Sequence, residues 1–149
     1  MTLEDRINAD IKTAMKERRK DDLRGLRAIK QAIQLAQTDG TGDAIDEKRE
    51  IAILQKLVKS RRDSLKIYED QDRADLAETE RVEIKTIEAY LPEQLSDDEL
   101  EAIVQDVITH TGASGMKDMG KVMGAAQAKI AGRADGKTVS ATVKRMLNS

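Results

Sequence analysis

Cysteine, phenylalanine and tryptophan are missing from the 149 residues, and proline occurs once. Without cysteine there is no disulfide, no thiolate metal site and no thiol nucleophile. With no Phe or Trp and only two Tyr, a core has to be built from Leu, Ile, Val, Met and Ala. The six methionines sit mostly at stripe positions and read as core filler. Long apolar runs are absent too, since nothing approaches the roughly 20 residues that span a bilayer. The opening MTLEDRINAD has neither a basic start nor an apolar stretch, so a signal peptide is not expected. A soluble, cytoplasmic protein with no membrane partner is the expectation. The length suits one domain or two small ones.

Reaction chemistry is also scarce. His110 is the only histidine, and its place at a predicted helix C-terminus gives it a structural role through the helix dipole. A catalytic His needs an oriented partner and a substrate beside it. The carboxylates are spread over helix faces without an EF-hand or His-Glu spacing, so no metal site is implied. No serine stands in a Ser-Lys or Gly-x-Ser-x-Gly setting. The TDGTGD stretch, residues 38–43, contains a Gly-x-Gly. It has no flanking strand, and its glycines stand beside Asp39 and Asp43, so it reads as a flexible linker and not a phosphate loop. Glu80 and Glu83 would serve as an acid/base pair only in a pocket with shifted pKa values, which the sequence does not imply. No cofactor is implied, and no catalytic residue is assigned.

What the chain does have is charge, at 36% of residues, and helical periodicity. That composition with one proline favours helices over sheet. The charge is unevenly placed. From Gly112 to Ser149 there are seven basic residues (Lys117, Lys121, Lys129, Arg133, Lys137, Lys144, Arg145) against Asp118 and Asp135, a balance of +5. The whole chain carries −2, which leaves −7 for everything before Gly112. A basic tail on an acidic chain points to an anionic partner.

Taken in order, helix follows helix. Thr2 and Asp5 form a capping box, and Leu3, Ile7, Ile11, Ala14 and Met15 make an apolar stripe. The basic run Lys16 to Lys20 reads first as a helix end, where cations favour the dipole. Leu23, Leu26, Ile29 and Ile33 mark a second helix, either continuous with the first or turned near Lys20-Asp21. Residues 45–70 read as one long helix, with Ile51, Leu54, Val58, Leu65 and Tyr68 on a seven-residue repeat and Arg61 at an apolar position. A turn near Gln71-Asp72 returns the chain through a helix to Tyr90, with Leu76, Ile87 and Tyr90 on one face and Glu83 among them. Helical rise brings Arg61 opposite about residue 81. A pair between Arg61 or Arg62 and Glu80 or Glu83 is therefore expected.

Leu91-Pro92 marks a boundary, because proline disfavours helix in the residue before it. Ser96 to Glu99 is a full capping box. Leu100, Ile103, Val104, Val107 and Ile108 then form a clean apolar stripe ending at His110-Thr111-Gly112. Met119, Val122, Met123, Ala126 and Ile130 follow at helical spacing, with Gly132 as the predicted left-handed stop. Asp135 caps a last helix carrying Val139, Val143, Met146 and Leu147. Lys137 and Lys144, two turns apart, share its other face. A phosphate at that helix's start would compete with the Asp135 carboxylate. The expected fold is all-α: an N-terminal helical domain over 1–91 with a long antiparallel helix hairpin, then a small three-helix C-terminal domain over 92–149.

Three stretches together resemble the GatB/YqeY family. They are Gly120-Lys121-Val122-Met123-Gly124 with Gly132-Arg133-Ala134-Asp135-Gly136-Lys137 and Val139; Tyr90-Leu91-Pro92-Glu93-Gln94-Leu95-Ser96 with Glu99-Leu100; and Lys59 to Ser64 through Arg73, Leu76 and Glu80. The resemblance covers nearly the whole chain, as in a stand-alone YqeY-like protein. In that family the B subunit of the tRNA-dependent amidotransferase ends in a similar helical tail. The tail helps hold the misacylated tRNA, while other domains and a partner amidase do the chemistry. The resemblance thus implies an accessory role toward tRNA or another structured RNA, with the seven basic tail residues as the RNA-binding set. It also implies an association with carbon–nitrogen ligase activity using glutamine as amide donor, which this chain lacks the groups to perform alone. Without Phe or Trp there is no stacking platform, so contact would be to phosphates and shape. The alternative is a protein adaptor that docks through the long hairpin or through Arg18, Arg19 and Lys20, without nucleic acid.

Overall fold

The computed structural model describes residues 1–39 and 44–148. The linker predicted over 38–43 therefore lies outside the described residues except at Thr38 and Asp39. The described residues form seven α-helices and one 3-10 turn, with no strand. The protein is all-α, as its composition requires. By backbone proximity the chain divides into two compact units, Met1–Leu91 and Pro92–Ser149.

In the first unit, α1 (Leu3–Lys16) starts from the Thr2/Asp5 capping box, with both reciprocal hydrogen bonds formed. It does not run on into α2 (Lys20–Gln37). Arg18 adopts a left-handed φ of 57° and turns the chain. Leu3, Ile7 and Ala14 are buried, whereas Met15 is 56% exposed and leaves the predicted stripe. That departure is general. Met1, Met15 and Met116 are exposed, and Met119, Met123 and Met146 are only half-buried. The core is made of Leu, Ile, Val and Ala, and methionine fills its edges.

α3 (Glu47–Asp70), capped by Asp46, and α4 (Ala74–Glu88) form the long antiparallel hairpin. The turn falls at Gln71–Arg73, with Asp72 left-handed at 57°. α4 ends two residues before Tyr90. Tyr90 instead donates its hydroxyl to Asp10 and lies under the Arg6 guanidinium, which fastens the chain after α4 to α1. Burial, and then Asp10, push the Tyr90 hydroxyl well above its ordinary pKa. Leu54 and Val58 are the fully buried part of the seven-residue repeat, and Ile84 and Ile87 face them from α4 within one core. α2 packs on α4 so closely that a Cβ on Gly25 would stand 2.8 Å from Thr86 Cβ and Cγ2.

The polar residue in the seam finds its partner. Arg61 Nε donates to Glu83 Oε2 at 2.9 Å, both side chains being mostly buried, and Arg24 Nε stands 3.9 Å from Glu83 Oε1. Arg62 pairs with Glu88. Glu80 is left out: its Oε2 is buried with no hydrogen-bond partner among the described residues. Burial raises the Glu80 pKa, Glu83 raises it further and Arg61 opposes them. An acid with a raised native pKa binds its proton more tightly when folded. Its stabilising contribution is present at low pH and is lost as pH rises through the native pKa. At neutral pH the ionised Glu80 therefore costs stability. Glu80→Gln is expected to stabilise the fold by about 0.5–1 kcal/mol at pH 7, read as a higher melting temperature. The gain should vanish near pH 4, where the native carboxyl is already neutral. A gain that persists unchanged at pH 4 would contradict this reading.

Candidate nucleic-acid interface

The second unit is built from α5 (Asp97–Thr111), a 3-10 turn (Met116–Asp118), α6 (Met119–Ile130) and α7 (Gly136–Leu147). Ser96 accepts from Glu99 N, and the Glu99 carboxylate accepts from Ser96 N, so the capping box is complete. These contacts hold the Glu99 carboxyl below its ordinary pKa. Gly112, at φ 67°, closes α5. Leu100, Val104 and Val107 meet Val122, Ala126 and Ile130 of α6 and Val139, Val143 and Leu147 of α7 in one core. The residues opposite these stripes are pressed outward, and there the basic residues stand.

The elbow between α6 and α7 differs from its prediction in one detail. The left-handed turn begins at Ala131, φ 49°, and continues through Gly132 at 83°. Two consecutive left-handed residues reverse the chain, and only the second is glycine. Asp135 then caps α7 with both oxygens, Oδ1 from Thr138 N and Oδ2 from Thr138 Oγ1, each at 2.8 Å. The start of α7 is therefore already occupied by a carboxylate.

The seven basic residues separate into three groups. Lys117, Lys137 and Lys144 are exposed and have no hydrogen bond or ion pair among the described residues. Lys121 and Arg133 are bound to backbone: Lys121 Nζ donates to Thr111 O at 3.1 Å, and Arg133 Nε donates to Glu93 O at 3.1 Å. Lys121 thereby satisfies a carbonyl at the end of α5. Arg133 ties the elbow to the segment before α5, helped by Leu95 N donating to Arg133 O at 2.7 Å. Lys129 and Arg145 are in ion pairs with α5, to Asp106 and Glu101 respectively, each at 2.5 Å. The Lys129 hydrogen bond holds the Asp106 carboxyl below its ordinary pKa.

His110 lies exposed at the end of α5, its Nδ1 2.9 Å from Asp106 O and 3.2 Å from Asp106 Oδ1. Its contacts are with its own helix.

Sequence reasoning placed the opposing charge in the whole region before Gly112. The units place it more sharply. Residues 1–91 are near neutral, with 19 basic and 20 acidic side chains. Six carboxylates and no lysine or arginine lie between Pro92 and Thr111, on α5 and the segment before it. The second unit thus carries an acidic helix packed against two basic ones. No periodicity signals the Lys129–Asp106 and Arg145–Glu101 pairs, because 23 and 44 residues separate their members.

Sequence profiles of known families decide what this chain is. The profile described as Yqey-like protein matches residues 4–147. The chain belongs to the YqeY-like family. Among curated proteins it is similar to altered inheritance of mitochondria protein 41, mitochondrial, of Pyrenophora tritici-repentis. That relative is 27% identical over 97% of this chain and 80% of its own length. The protein of the same name in Vanderwaltozyma polyspora is 31% identical over 76% of this chain and 64% of its own. A third similarity is partial. A glutamyl-tRNA(Gln) amidotransferase subunit of Thermococcus gammatolerans is 46% identical over 57 residues, 36% of this chain and 9% of that subunit. The YqeY-like chain therefore shares one segment with an amidotransferase subunit and nearly its whole length with the Pyrenophora protein.

Proposed function

We propose that this YqeY-like protein is an accessory RNA-binding protein whose second unit holds tRNA, or another structured RNA, by its phosphates. The observation that carries the reading is the trio Lys117, Lys137 and Lys144, exposed on a well-packed bundle and unused by the fold. Side chains with no intramolecular work are available to an anion. The segment shared with an amidotransferase subunit named for glutamyl-tRNA(Gln) supports tRNA as the first RNA to test. The role is to hold and not to react. Any carbon–nitrogen ligase activity with glutamine as donor would belong to a complex in which this chain is one part.

The physical mode follows from the side chains. Lysines bind phosphate as point charges without reading bases, so affinity is modest and insensitive to sequence. Each phosphate that is neutralised releases counterions, which ties affinity to salt. Titration of the intact protein with total tRNA is expected to give binding at low salt. A plot of log affinity against log salt should have a slope of about −2 to −3, for three phosphates. A flat titration from low to physiological salt would reject the reading. Capture of a protein partner that persists after nuclease treatment, by a chain that binds no tRNA, would put the adaptor reading in its place.

A further inference from the structure

Acidic side chains of α5 take two of the positions that an RNA phosphate would take against α6 and α7. Asp106 holds Lys129 and Glu101 holds Arg145, each at 2.5 Å, and all four side chains remain between 44% and 61% exposed. Exposed ion pairs of this kind are weak and screened by salt, so an incoming phosphate can exchange with either carboxylate. Asp97 and Asp98 lie on the same helix, equally acidic and exposed, and hold no basic side chain among the described residues.

We propose that α5 is a built-in competitor, whose Glu101 and Asp106 carboxylates occupy Arg145 and Lys129 and hold down the affinity of the second unit for nucleic-acid phosphate. The proposal rests on the RNA-binding reading and adds its regulation. Only Lys117, Lys137 and Lys144 are open to phosphate in the resting protein. Lys129 and Arg145 join them when the α5 carboxylates are displaced. Competition of this kind favours a ligand that presents several phosphates at once, as a folded RNA does, over a scattered anion, because only the former recruits both masked cations together.

The test uses the full chain, total tRNA and a fixed salt of about 0.1 M, where one neutralised phosphate is worth nearly tenfold in affinity. Glu101→Gln with Asp106→Asn is expected to tighten binding by about tenfold or more. Asp97→Asn with Asp98→Asn changes the net charge equally and is expected to tighten it by less than about twofold, by general attraction alone. Replacing Lys129 and Arg145 by Gln in the Glu101→Gln, Asp106→Asn background should remove the gain. Thermal melts of every variant establish that each one is folded. Equal gains from the two carboxylate pairs would overturn the proposal, since net charge would then explain both. A gain that survives replacement of Lys129 and Arg145 would overturn it as well. Binding that depends on Lys117, Lys137 and Lys144 without any gain from the α5 variant overturns the competition and leaves the RNA reading standing. No binding in any arm removes both.

Discussion

Gly25→Ala should destabilise the first unit by about 1–2 kcal/mol net, although alanine is the better helix former. In an exposed helix the change would gain up to about 1 kcal/mol, because glycine loses more backbone freedom on folding. Gly25 is not exposed. It is buried at the crossing of α2 and α4, and the added methyl would stand 2.8 Å from both Thr86 Cβ and Cγ2. Thr86 cannot turn away from the new group, since its Cβ is fixed to the α4 backbone. Its Oγ1 is also engaged, donating to Val82 O at 3.2 Å. The two helices must therefore separate, which opens the packing around Leu26, Ile29 and Ile87. Overpacking of this kind costs about 1–3 kcal/mol, more than the propensity returns. A fall of roughly 5–10 °C in melting temperature is expected for a unit of this size. Thr86→Gly removes the opposing atoms, so a double-mutant cycle should show favourable coupling between the two changes. A Gly25→Ala protein that melts above the parent would show that the helices part freely and would defeat the prediction.

Neutralising Lys117, Lys137 and Lys144 together to Gln is expected to lower tRNA affinity by about tenfold at 0.1 M salt for each phosphate no longer held. The melting temperature should stay where it is. The two readouts separate because these three side chains are exposed and take no part in holding the fold. Lys121 and Arg133 serve as the contrast. They satisfy Thr111 O and Glu93 O, so Lys121→Gln with Arg133→Gln should lower the melting temperature. Those two hydrogen bonds together are worth about 1–3 kcal/mol, since each donor carries a full charge. Anisotropy of labelled tRNA and thermal melting on the same samples measure both quantities. Unchanged affinity in the triple-lysine variant would sink the assignment of those residues. Equal affinity losses in the two variants would mean that exposure does not decide which cations reach the RNA.

Much of this protein is legible in the order of its residues. Missing aromatics, one proline and apolar residues at helical spacing dictate helices with an aliphatic core. Caps are local, so Thr2/Asp5, Ser96/Glu99 and Asp135 could be read from residues three apart. The Arg61–Glu83 pair was also within reach, because an antiparallel hairpin of known rise fixes which residues come opposite. The close approach of Gly25 to Thr86 was not legible, since it depends on how far apart two packed helices settle. Nor was the exposure of Met15, which turns on where α1 ends and α2 begins.

The charge pattern divides in the same way. Composition and position alone determined that the last third of the chain is basic and that no reactive group accompanies it. They also determined that three helices there would each bury one apolar side. Only the tertiary structure decided which of the seven cations are open to solvent. Lysine and arginine side chains take partners from whichever helix packs beside them, and for Lys129 and Arg145 that helix is the acidic α5, far away along the chain. Helical periodicity acts over a few residues and is written in order. Ion pairing acts through space, so it waits for the helices to meet.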